Sequence, residues 1–191
     1  EYYPLAPDAV NSNFNALKEM FLDHVDIDKQ NLFTPDGTIA KDTIFEYCKL
    51  YEQRIASFGG IDIALLGIGR VGNIAFNEPG SRLNSATRLI LLDNASRNEA
   101  AKSFGSIEST PVSSITMGVS TILAAKKIFL MAWGEDKAHM IKNCVEGAVT
   151  DNIPASYIQT HNDAHVVIDL SAAANLTRIQ RPWLVTSCEW N

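Results

Sequence analysis

Residues 61–81 read Ile61-Asp62-Ile63-Ala64-Leu65-Leu66-Gly67-Ile68-Gly69-Arg70-Val71-Gly72-Asn73-Ile74-Ala75-Phe76-Asn77-Glu78-Pro79-Gly80-Ser81. The first six are an apolar run of strand length, and the rest are a glycine-rich loop. A buried strand feeding such a loop presents backbone amides to a ligand, and Asn73, Asn77 and Glu78 add polar side chains at the same strand end.

Three later apolar runs, Leu89–Leu92, Lys127–Trp133 and His165–Leu170, read as further buried strands. Segments of helical character lie between and before them. Phe14, Leu17, Phe21 and Val25 recur at helical spacing in Asn11–Asp26, as do Ile44, Tyr47, Leu50, Tyr51 and Ile55 in Lys41–Phe58. Asn94–Phe104, Val119–Ala125 and Asp136–Glu146 also read as helices. Strands alternating with helices predict an α/β fold, a mainly parallel sheet with helices on both faces and ligands outside the carboxyl ends of the strands.

The 191 residues suit one domain with a full core. Apolar residues make up 46% and charged residues 20%, and no stretch approaches the roughly 18 uninterrupted apolar residues of a membrane span, so no membrane is expected. A net charge of −6 argues against a nucleic-acid surface, which needs clustered Lys and Arg. Cys48, Cys144 and Cys188 are odd in number and widely spaced, which fits neither a disulfide framework nor a metal site. Unpaired thiols and an N-terminus unlike a signal peptide point to the cytoplasm. The chain opens at Glu1 rather than Met and stops in the extended-looking run Pro182–Asn191, so both ends read as cut from a longer protein.

Gly67, Gly69 and Gly72 satisfy G-x-G-x-x-G after a strand, and Asp93 follows about twenty residues later, as in a dinucleotide site. That fingerprint also requires a helix directly behind the third glycine. Pro79 and Gly80 break any helix there after about one turn, which disfavours the nucleotide reading. The glycines could also do no more than shape a tight strand exit.

The segment resembles the G-x-G-x-D-G-H-I-A-F-N-E-P loop of glucosamine-6-phosphate deaminases, with Ile74-Ala75-Phe76-Asn77-Glu78-Pro79 matching without a break. Glu1-Tyr2 is similar to the end of the family's Asp-Glu-Tyr motif, Asp23-His24-Val25-Asp26-Ile27 to the segment after its next helix, and Val145-Glu146-Gly147 to a later motif. The resemblance implies a Rossmann-like domain of deaminase/isomerase type over residues 1–191, lacking its N-terminal strands and final helix.

Such deaminases open an amino-sugar phosphate ring, move a proton between C2 and C1, and release ammonia to leave fructose 6-phosphate. By resemblance, Lys137 is the phosphate-anchoring lysine, and Lys102 falls where the family has an arginine, with Arg97 nearby in sequence. Gly67, Gly69, Gly72 and Asn77 then line the substrate, and Glu78 and Asn73 take the catalytic positions. Two departures stand out: Val71 replaces an Asp, and Asn73 replaces the proton-shuttling His. An imidazole donates and accepts in turn near neutral pH, whereas an amide only hydrogen-bonds.

The family's enolising Asp precedes its Glu-Tyr pair and so falls before Glu1. His161 matches a family His, although a lone histidine at a strand end is more often structural. Ser81 and Arg88 match part of an allosteric phosphate site whose further basic residue is replaced by Ile90, so the same control is not expected. No metal and no cofactor are expected. The expected partners are an amino-sugar phosphate and further copies of the chain. A binding-only sugar-phosphate sensor, or a related phosphosugar isomerase or lactonase, are the alternatives.

Overall fold

The computed structural model describes residues 1–181. In chain order these form β1 (Tyr2–Tyr3), α1 (Asn13–Met20), α2 (Ile44–Ser57), β2 (Ile63–Gly67), β3 (Arg88–Leu91), α3 (Asn94–Phe104), β4 (Ser113–Thr116), α4 (Val119–Leu123), β5 (Lys127–Ala132), α5 (Ala138–Glu146), β6 (Ala164–Ile168) and α6 (Thr177–Gln180). Short 3₁₀ turns at Leu22–His24, Lys29–Asn31, Glu135–Lys137 and Pro154–Thr160 link them. The run Pro182–Asn191 and Cys188 lie outside the described residues. Among the described residues no helix is long and apolar enough to cross a membrane.

The chain divides into two compact units: residues 1–59 with 86–118, and residues 60–85 with the part after 118. In the first, β1 and β3 both pair antiparallel with β4. Its core gathers Ile44 and Cys48 of α2 with Ile115 of β4, and Tyr3, Ile39, Tyr47 and Leu89 pack against them. Glu52 secures β3 from α2, its Oε1 accepting both the amide and the hydroxyl of Thr87.

The helix read over Asn11–Asp26 stops at Met20. Phe21 leaves the helical region with φ −139°, and a 3₁₀ turn follows, in a stretch of Asp, His and Val that propagates a helix poorly. No residue of α1 is buried. Its start is fixed by hydrogen bonds: Ser12 Oγ accepts from Asn15 N, and the buried carboxylate of Glu1 accepts from the amides of Asn13 and Phe14. By contrast α3 spans the predicted Asn94–Phe104, because Asp93 caps Ala95 N at 2.7 Å and Gly105 ends it. Asp93, the acid a nucleotide site would need, is a helix cap.

The second unit contains the parallel sheet, in the order β2-β5-β6 with β5 in the centre. The register sets Gly67 opposite Met131 and Ala132 opposite Ile168, so all three carboxyl ends finish at one level. The α/β class with a parallel sheet therefore stands. Ala64, Leu66, Ile128, Leu130 and Ala132 are buried on one face, whereas Ile63, Leu65 and Val167 on the other are exposed. The helix predicted from Asp136 starts at Ala138, after the 3₁₀ turn, and buries Ala138, Ile141 and Cys144.

Candidate active site at the carboxyl ends of the parallel strands

Residues 68–81 leave β2 and never enter a helix, as Pro79 and Gly80 require. The loop folds on itself: Gly69 N donates to Asn73 O and Gly72 N to Gly69 O, both at 3.0 Å. Gly72 is the pivot. Its φ is +80°, and a Cβ added there would lie 2.7 Å from Ile153 Cγ2 and 2.9 Å from Met140 Sδ. Its carbonyl accepts from Ala155 N at 2.8 Å, which seats the loop on the segment after α5.

Ile74 and Asn77 form an isolated antiparallel bridge, and Ala75 between them has φ +48°. A left-handed alanine costs about 1–2 kcal/mol, and such strain concentrates at ligand sites. The tight turn keeps Asn77 fully buried, with Nδ2 donating to Ile74 O at 3.0 Å, and leaves Glu78 buried beside it. Gly80 N then donates to Asp151 O at 2.7 Å.

Asn73 has a divided environment. Its Nδ2 donates to Ala75 O at 3.0 Å, while Oδ1 is buried without a hydrogen-bond partner. A Cβ on Gly69 would stand 1.8 Å from that oxygen, so Asn73 occupies the space glycine leaves. A buried acceptor left unsatisfied costs about 1–3 kcal/mol, which a donor on a bound molecule would recover. Gly67 faces open space, with no atom within 4 Å of the position a Cβ would take.

The loop after β5 joins this one. Lys137 Nζ donates to Ile68 O at 3.1 Å, which holds the ammonium against the glycine-rich loop at the start of α5. Sequence reading missed Asp169, at the end of β6: its carboxylate accepts from Gly134 N at 3.1 and 3.2 Å and from Ala172 N at 2.7 Å, tying the ends of β5 and β6 together. An acid inside the third apolar run, His165–Leu170, was the available signal.

Of the residues singled out, Gly67, Gly69, Gly72, Asn73, Asn77, Glu78 and Lys137 thus meet in the second unit. Lys102 belongs to the first unit, exposed in the last turn of α3. Arg97, its neighbour in alignment, spends its guanidinium on the carbonyls of Ile107 and Thr110. His161 Nε2 lies 2.7 Å from Ala125 O, and Nδ1 accepts from Asp163 N at 3.0 Å, so both ring nitrogens are engaged and the ring is a structural strut. Cys144, buried with Sγ toward Ala155 O, has its thiol pushed up to about 12 by burial and is no nucleophile.

Glycine-rich loop, lysine and aspartate gathered at parallel strand tips define an α/β protein whose candidate ligand site lies at the carboxyl ends of its strands. The family model described as glucosamine-6-phosphate isomerases/6-phosphogluconolactonase matches residues 4–167, and the chain belongs to that family. A Bacteroides thetaiotaomicron protein named for its likeness to glucosamine-6-phosphate deaminase is 85% identical over all 191 residues, which span 29% of its length. Glucosamine-6-phosphate deaminase of Shewanella halifaxensis is 51% identical over 84% of this chain and 60% of its own. The chain therefore spans less than two thirds of these relatives. The solved structure of a monomeric glucosamine-6-phosphate deaminase superposes with a TM-score of 0.88 at 39% identity, over 92% of this chain and 72% of that one. A Trypanosoma brucei 6-phosphogluconolactonase, at 19% identity and a TM-score of 0.69, shares the fold.

Proposed function

We propose that the protein is a glucosamine-6-phosphate deaminase-like enzyme that binds the amino-sugar phosphate at the carboxyl ends of β2 and β5 and converts it to fructose 6-phosphate and ammonia. The observation that carries this reading is the Lys137–Ile68 hydrogen bond of 3.1 Å, which brings an anion-binding ammonium to the loop bearing Asn73, Asn77 and Glu78. Lys137 meets the phosphate as a point charge at the start of α5, where backbone amides and the helix dipole add to it. Gly67 leaves room for the ligand, Asn73 Oδ1 accepts from a ligand hydroxyl or amine, and Asn77 holds the loop in shape. Glu78 orients water or exchanges a proton with the sugar.

One observation favours a second reading, a noncatalytic sugar-phosphate sensor. Asn73 stands where the resemblance places a histidine, Val71 where it places an acid, and an amide moves no proton near pH 7. Losing a proton-transfer group typically costs about 10² to 10⁴ in rate. Ammonia release by the intact protein given glucosamine 6-phosphate, beside a calorimetric titration with the same sugar, separates the two. Binding with ammonia supports the enzyme, binding alone supports the sensor, and neither event overturns both. We read residues 1–191 as one deaminase-like domain, on the ground that the family match runs through both compact units. The buried free thiols of Cys48 and Cys144 favour the cytoplasm. Self-association belongs to the same proposal, and sedimentation velocity tests it: a monomeric mass would overturn it.

A further inference from the structure

The loops after β2 and β5 share a second contact. Arg70 Nη2 lies 3.5 Å from Asp136 Oδ2, with the two side chains 55% and 51% exposed. An exposed pair this long contributes about 0–1 kcal/mol, so stability does not account for it. Its position is more informative. Arg70 lies two residues beyond Ile68, whose carbonyl receives Lys137, and Asp136 immediately precedes Lys137. The loops after β2 and β5 therefore carry a guanidinium and an ammonium, the first in contact with the Asp136 carboxylate and the second with the Ile68 carbonyl. A Cβ on Gly134 would lie 3.1 Å from Asp136 Oδ1, and Gly134 N is held by Asp169.

We propose that Arg70 and Lys137 form one anion subsite, and that the Asp136 carboxylate occupies the Arg70 guanidinium until an incoming phosphate displaces it. The inference rests on the sugar-phosphate reading above and adds to it a residue and a built-in competitor. A phosphate dianion offers the planar guanidinium fork two oxygens, where Asp136 makes one long contact. Lys137 adds a point charge to the same group. The ligand must break the Arg70–Asp136 contact, so Asp136 lowers the apparent affinity that Arg70 raises.

Opposite signs for two variants test this. Glucosamine 6-phosphate, inorganic phosphate and unphosphorylated glucosamine are titrated calorimetrically into the intact protein and its Arg70→Ala, Arg70→Lys and Asp136→Asn variants. Arg70→Ala should weaken both phosphate-bearing ligands about tenfold, Arg70→Lys should fall between, and Asp136→Asn should tighten both roughly threefold. Glucosamine affinity should not change. If Arg70 served only as a partner for Asp136, the two removals would shift binding in the same direction, and that result overturns the proposal. Unchanged glucosamine 6-phosphate affinity in Arg70→Ala overturns it too, while leaving the sugar-phosphate reading intact. Failure of the unmodified protein to bind either phosphate-bearing ligand overturns both.

Discussion

Replacing Gly72 by alanine should damage the loop by an amount the geometry sets. Two costs add. At φ +80° an L-residue pays about 1–2 kcal/mol for the left-handed conformation. The new methyl group would also stand 2.7 Å from Ile153 Cγ2 and 2.9 Å from Met140 Sδ, an overlap of the kind that costs about 1–3 kcal/mol. Relaxation is limited, because the Gly72 amide and carbonyl are both hydrogen-bonded, to Gly69 O and from Ala155 N. The sum is about 2–5 kcal/mol.

Gly80 supplies the control, with φ +89° and nothing within 4 Å of its would-be Cβ, so Gly80→Ala should cost only the conformational part, about 1–2 kcal/mol. Hydrogen exchange followed by mass spectrometry on peptides from residues 60–85 of the intact protein reads the local opening energy of each variant. Equal protection in the two would refute the packing argument. A loss larger in Gly72→Ala by about 1–3 kcal/mol is the expected result.

Gly67→Ala should leave local protection unchanged, since the added methyl meets no protein atom, yet weaken glucosamine 6-phosphate binding severalfold in the same calorimetric titration. Restoring the proton shuttle with Val71→Asp and Asn73→His should raise ammonia release by about 10² or more, measured against the unmodified protein. Burial pushes Tyr51 up to about 12, and its hydroxyl donates to Phe33 O at 3.1 Å. A folded value above the ordinary one near 10 means its stabilisation is complete below pH 10 and is lost as pH rises through 12. Alkaline titration at 295 nm should therefore show Tyr51 ionising late, and Tyr51→Phe should remove that late step at a cost near 1 kcal/mol.

Much of the second unit was legible because its strands are apolar runs and its loop is punctuated by glycine and proline. Lys127–Ala132 and Ala164–Ile168 fell inside or within a residue of the predicted runs; in the first unit α3, framed by Asp93 and Gly105, was as plain. The first unit was harder. Its central strand is Ser113-Ser114-Ile115-Thr116, all buried, and carries no apolar run to detect; Ser114 Oγ instead donates to Glu1 O at 2.7 Å. The helical spacing of Phe14, Leu17, Phe21 and Val25 runs past the true end of the helix at Met20, because α1 buries no residue and is held by Ser12 and Glu1.

In the candidate site the residue types could be read, but the contacts that assemble them could not. Lys137 reaches Ile68, Asp169 reaches Gly134, and Arg70 reaches Asp136 across separations of 69, 35 and 66 residues, distances over which no periodicity carries information.

Calorimetric titration of glucosamine 6-phosphate into the intact protein and its Lys137→Ala variant addresses the binding of an amino-sugar phosphate at the strand tips. The unmodified protein should bind, and Lys137→Ala should weaken that binding at least tenfold while leaving the exchange protection of residues 60–85 in place. Equal affinity in the two proteins would remove the phosphate from the carboxyl ends of β2 and β5 and contradict the site proposed here.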